Sequence, residues 1–147
     1  MKKQNGFGMI AAIVVLVILA SLAAAIVAIN STQHMASAQD ILSAKAWQAA
    51  RAGNEWGLYN AFKGSWATCS NTSEPLDLTA ETGFHVTVYC DSREYNEGEN
   101  PPGTATKVRL YEIRAVACPA STCPSNDAAV VASPSYVERT RVVVVTN

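Results

Sequence analysis

Polar and apolar residues fall along the chain in three textures, and each predicts a different kind of element. The first is MKKQNGFGMIAAIVVLVILASLAAAIVAIN, where two lysines and a glycine precede 23 charge-free residues, 7–29. At 1.5 Å per residue a helix of that length reaches about 35 Å, enough for a hydrocarbon core of roughly 30 Å. Lys2 and Lys3 stand before the run and no lysine or arginine follows before Lys45. The positive-inside rule therefore keeps the N-terminus cytoplasmic and exports everything after the span.

The second texture is amphipathic. Met35, Ala38, Leu42, Ala46, Ala49, Gly53, Trp56, Tyr59 and Phe62 recur at steps of three and four, which continues the same helix outward through residues 30–63 with one apolar stripe. Gly53 and Gly57 form a small-x-x-x-small face on either side of Trp56, where another backbone or a sheet can approach closely. Each glycine costs up to about 1 kcal/mol of helix propensity relative to alanine, which tight packing offsets. The alternative is a helix end that frays near Gly57. Arg51 and Glu55 lie four apart and predict an exposed ion pair.

The third texture begins after Lys63, where Ser, Thr, Asn, Pro and Gly separate short apolar runs. GFHVTVYC (83–90) alternates with Phe84, Val86, Val88 and Cys90 on one face. TKVRLYEIRAVAC (106–118) places Tyr111, Ile113, Ala115 and Ala117 on one face but Val108 and Leu110 on the other, which predicts a bulge or a strand buried on both sides at one end. YVERTRVVVVT (136–146) ends in four consecutive valines that leave no polar face, so it is expected to be the central or helix-covered strand. The expected fold is α+β: a three-stranded antiparallel sheet with Trp56, Tyr59 and Phe62 of the helix beneath it. DSREYNEGENPPG (91–103) reads as a solvated acidic turn; Asp91, Glu94, Glu97 and Glu99 offer oxygens to calcium but lack the spacing of an EF-hand. CPASTCPSNDAAVVASPS (118–135) reads as a loop pinned at its start.

Composition narrows the function classes. Eleven basic and twelve acidic side chains give a net charge of −1, without the basic patch a nucleic-acid binder needs. All four cysteines, Cys69, Cys90, Cys118 and Cys123, follow the apolar segment, where an exported domain is oxidised. Zinc is the rival reading, but Cys69 and Cys90 stand 21 apart and His85 is isolated, so no metal is expected. The pairing that suits the local order is Cys69 with Cys90 and Cys118 with Cys123, one of three possible connectivities. No nucleophile, base or cofactor motif assembles: His34 follows the span, His85 sits in a strand, and no phosphate or dinucleotide fingerprint occurs. The chain is expected not to be an enzyme and to need no cofactor.

Three fates compete for the first segment. A secretory signal would be cut near Ala36-Ser37-Ala38, yet this apolar run exceeds the usual 7 to 15 residues. A plain anchor stays uncut. The third is a cut between Gly6 and Phe7 that leaves the apolar helix on the mature chain, and the unbroken helical pattern favours it, since removal of 38 residues would sever the stripe.

KKQNG followed by FGMIAAIVVLVILASLAAAIVAI resembles the leader and helix of type IV pilins and pseudopilins. The resemblance implies a leader of residues 1–6, an assembly helix at 7–29, an amphipathic helix at 30–63 and a disulfide-bonded sheet head at 64–147. It implies that a prepilin peptidase cuts after Gly6 and methylates Phe7. Most such chains carry glutamate as the fifth mature residue, where it pairs with the N-terminal amine of the next subunit; here that position is Ala11. Members without the glutamate are typically minor subunits at the filament tip. SAKAWQAARAGNEWGLYNAF (43–62) is similar to the A-x-A-G-x-E-W-G-L-Y segment of the MshP family of mannose-sensitive haemagglutinin (MSHA) pilus biogenesis proteins. GFHVTVYC and YVERT agree more loosely. The implied role is a minor pilin that primes or caps such a pilus, with other minor pilins, the major pilin, the prepilin peptidase and the inner membrane as partners. It would wait in the inner membrane and end at the pilus tip. A minor pseudopilin of a type II secretion system and an uncut membrane-anchored periplasmic binding module are the alternatives.

Overall fold

A computed structural model describes residues 6–99 and 101–147, with side chains omitted for 6, 7 and 28–35. The elements are α1 (Gly6–Lys63), β1 (Thr72–Leu78), β2 (Phe84–Glu99), β3 (Ala105–Cys118), α2 (Ala128–Val131) and β4 (Arg139–Thr146). The chain divides into two compact units, Met1–Gln39 and Asp40–Asn147.

The first unit is helical because nothing in it interrupts a helix: the run holds no proline, and alanine and leucine are strong helix formers. It contains a 20-residue segment, Gly8–Val27, long and apolar enough to cross a membrane. Its side chains, from Met9 through Leu16 to Val27, are all exposed. Such a surface is stable only in lipid or against other apolar surfaces.

The second unit is α+β. Its sheet is a meander in the order β1-β2-β3-β4, every neighbouring pair antiparallel. One face carries Phe84, Val86, Val88 and Cys90 from β2 with Tyr111, Ile113, Ala115 and Ala117 from β3, all buried against the Ala46, Ala49, Ala50 and Ala61 stripe of α1. The alternation expected for 83–90 is therefore present, as is the common face of Tyr111, Ile113, Ala115 and Ala117, whereas Val108 and Leu110 are only half-buried and do not mark a doubly buried end. At its C-terminal end β3 is buried on both sides, because Val116 and Cys118 pack with Cys123, Tyr89, Ala120 and Tyr136 on the other face.

Four expectations change. The sheet has four strands, the additional one being β1, which pairs with β2 from Thr72 opposite Cys90 to Leu78 opposite Phe84. Residues 91–99, expected as an acidic turn, continue β2, with a register shift at Asn96 and Gly98. β4 is an edge strand rather than a central one, since a meander leaves its last strand at the margin. Its Val143 and Val145 pack on the core cluster while Val142 and Val144 are 49% and 54% exposed. On α1, Trp56 is half-buried but Tyr59 is 65% exposed and Phe62 42%, because the buried stripe passes through Gly53, Gly57 and Ala61 instead.

Candidate functional site

The joint between α1 and the sheet is built from residues too small to separate the two. An added Cβ at Gly53 would stand 2.7 Å from Val86 Cγ1, 3.1 Å from Ala115 Cβ and 3.2 Å from Val88 Cγ2. At Gly57 it would stand 2.7 Å from Ile113 Cγ2 and 3.0 Å from Val88 Cγ1. Both distances lie inside ordinary van der Waals contact, so glycine fixes how near the sheet can lie. α1 continues through Gly57 to Lys63.

The far end of the joint is closed by aromatic and covalent contacts. Trp56 and Trp66 meet edge to face at 5.0 Å, and Phe62 lies 5.7 Å from the Tyr111 ring. The Tyr111 hydroxyl donates to the Ala67 carbonyl at 2.8 Å. Cys69 is bonded to Cys90, which ties the segment after α1 to the middle of β2, and Cys118 is bonded to Cys123. The backbone N–H and hydroxyl of Ser92 both donate to the Cys69 carbonyl.

Asn54 is the discordant member of the joint. It is 3% exposed, and among the described residues neither its amide nitrogen nor its oxygen has a hydrogen-bond partner. The stripe of small and apolar residues predicts no polar side chain here; a lone amide between Gly53 and the Ala50 and Gly57 positions is the available signal.

Beyond the ends of β1 and β4, residues 94–99 and 105–108 form a two-stranded ribbon, with no third strand beside it among the described residues. Glu94 binds Lys107 Nζ at 2.7 Å and Arg109 Nη2 at 2.8 Å, and these contacts, the Lys107 hydrogen bond first, hold its carboxyl below the usual range. Asp91 lies 3.5 Å from Arg93, and a Glu99 carboxylate oxygen accepts from the Gly103 N–H. The acidic side chains of 91–99 are thus spread along a strand instead of converging. Among the described residues no three His, Cys, Asp or Glu side chains gather as metal ligands.

Other titratable groups act locally. Asp77 accepts from the Thr79 hydroxyl and N–H, which lower its pKa more than His85 at 3.7 Å does. Burial raises the Tyr136 phenol, assisted by its hydrogen bond to Glu138 at 2.6 Å. Arg51 and Glu55 form the exposed pair expected of their spacing, at 3.0 Å.

Gly6 opens α1 and Ala11 lies exposed on it, within its apolar first unit. The leader residues 1–5 and the side chains of Phe7, His34 and Met35 are outside the described residues. Comparison of the chain with protein-family models, with curated proteins and with solved structures returned no match.

Proposed function

We propose that the chain is a minor type IV pilin of the MSHA class, resembling MshP proteins, that primes or caps a filament. The observation that carries this reading is α1 itself, one uninterrupted helix, Gly6–Lys63, whose first part is an exposed apolar segment and whose second part lies under a disulfide-tied sheet. An exposed apolar helix on an exported, disulfide-tied head suits a subunit whose apolar segment passes from lipid to neighbouring apolar helices.

The apolar segment holds the chain in the inner membrane, N-terminus cytoplasmic, until extraction. Burial among other subunits then replaces burial in lipid at little net cost, since both surroundings are equally apolar. Ala11 brings no carboxylate into that apolar contact, so there is none to be neutralised by an amine above it. This restricts the chain to the tip, where no subunit follows.

Intact-mass measurement after co-expression with a prepilin peptidase tests the reading. The expected product has lost residues 1–6 and gained one methyl on Phe7. An uncut chain would instead support an anchored binding module, and loss of 38 residues a secreted protein. Immunogold label along the shaft at major-subunit abundance would refute the tip position.

A further inference from the structure

We propose that the free edge of β4 is a docking site for an extended segment of a different polypeptide, one that alternates apolar and acidic residues and adds to the sheet as a fifth strand. The inference rests on the head alone and is independent of the pilin reading.

The two margins of the sheet differ. β1 carries Pro75 at its centre, with Glu74 before it and Asp77 two residues on, and proline with charge is how edge strands are kept from pairing. β4 has neither device after Arg141: its remaining residues are VVVVT. The backbone geometry of this margin follows from one bond. Asn147 N–H donates to the Arg109 carbonyl at 3.2 Å, so in the antiparallel ladder the odd-numbered residues of β4 face β3. The N–H and C=O groups of Thr140, Val142, Val144 and Thr146 accordingly point away from the sheet. They form a ready row of donors and acceptors.

Side chains at the same margin specify the occupant. Val142 and Val144 are about half exposed on the face away from α1 and offer apolar cross-strand partners. On the α1 side stand two arginines. Arg139 Nε donates to Ser43 Oγ at 2.9 Å, and the Arg141 guanidinium lies 5.1 Å over the exposed Trp47 ring. Among the described residues neither arginine has a carboxylate partner. An incoming strand thus meets Val142 and Val144 on one face and, on the other, two cations without a carboxylate partner at the Arg139 and Arg141 end, followed by Val143 and Val145, which already pack on the core cluster. Apolar residues facing outward and acidic residues facing α1 satisfy both. A second copy fits poorly through its own two margins: its β1 edge is guarded by Pro75, and its β4 edge would add arginines where carboxylates are wanted.

The probe is a fluorescent ten-residue peptide of alternating valine and glutamate, with a valine-lysine peptide as its counterpart, added to the full-length chain in detergent micelles. The expected result is saturable binding of the glutamate peptide, at least tenfold weaker binding of the lysine peptide, and slowed hydrogen exchange at the Val142 and Val144 amides. Val144→Pro removes an outward donor while leaving the β3 ladder bonds, and should weaken binding at least tenfold. Should that variant misfold, Arg139→Glu with Arg141→Glu keeps every backbone donor and should reverse the preference between the two peptides. Equal binding of both peptides, or binding without protection of Val142 and Val144, overturns the proposal. So does concentration-dependent protection of those amides without peptide, which would make the occupant a second copy.

Discussion

Gly53→Ala sets two known effects against each other at a place where the structure decides the winner. Alanine gains about 0.8 to 1 kcal/mol of helix propensity over glycine. The new methyl must fit 2.7 Å from Val86 Cγ1, with Ala115 at 3.1 Å and Val88 at 3.2 Å closing the other directions. Val86 and Val88 are fully buried near the start of β2, and their branched side chains have few alternative rotamers. Relief therefore means lifting the strand, and overpacking of this kind costs about 1 to 3 kcal/mol. The net expectation is a loss of about 1 kcal/mol. Gly57→Ala meets Ile113 at 2.7 Å and should cost a similar amount. The double variant should cost less than the sum, since both methyls press on Val88 and the sheet is lifted once. Urea unfolding of the full-length chain in detergent, followed by tryptophan fluorescence from Trp56 and Trp66, measures it. Ala52→Gly, at an exposed position of the same helix, isolates propensity and should lose about 1 kcal/mol. If Gly53→Ala instead stabilised the chain by the full propensity gain, the sheet would not lie as close as described.

Three further outcomes follow from the same joint and its surroundings. Asn54→Leu replaces a buried, unpartnered amide with an apolar group of similar size and should raise stability by about 1 to 3 kcal/mol in the same assay. Breaking the Cys69 to Cys90 bond by alanine substitution should cost about 3 kcal/mol, against about 2 for Cys118 with Cys123, because the closed loops span 21 and 5 residues. Glu94 has a folded pKa below its unfolded value, so the support it lends is complete above the ordinary glutamate value of about 4.3 and is lost as pH falls through the lower folded value. Amide exchange in residues 93–109, corrected for its intrinsic pH dependence, should therefore lose protection only under acid. Protection lost near pH 7 would contradict that sign.

What the sequence reveals about this fold depends on whether an element has one wet and one dry face. Residues 84–90 and 111–115 are buried on alternate positions, so their period is visible, and so is the stripe of α1 from Leu42 to Ala61. β1 reads as loop because TSEPLDL is an exposed margin where proline and carboxylates are tolerated. Residues 91–99 read as a turn for a related reason: the ribbon is wet on both faces and carries no hydrophobic period. β4 misleads in the opposite direction. Four valines imply burial on both sides, yet strand order gives them one covered face, and the surplus is the surface now assigned to a partner. The glycine pair was legible because glycine inside a helix is costly without compensation. Asn54 was not, since a single polar residue within a helix usually signals its solvent side.

The ribbon has a practical corollary. Gly103, at a positive φ of 92°, sits in the reversal that joins its two strands, with a Thr104 N–H donating to the Pro101 carbonyl. The described residues on either side of this tip, 95–99 and 101–106, are exposed. A short epitope spliced in beside Gly103 would disturb only the outermost rungs, leaving core, cystine bridges and the β4 margin unaltered. That makes the tip a natural handle for locating the molecule on intact cells by microscopy.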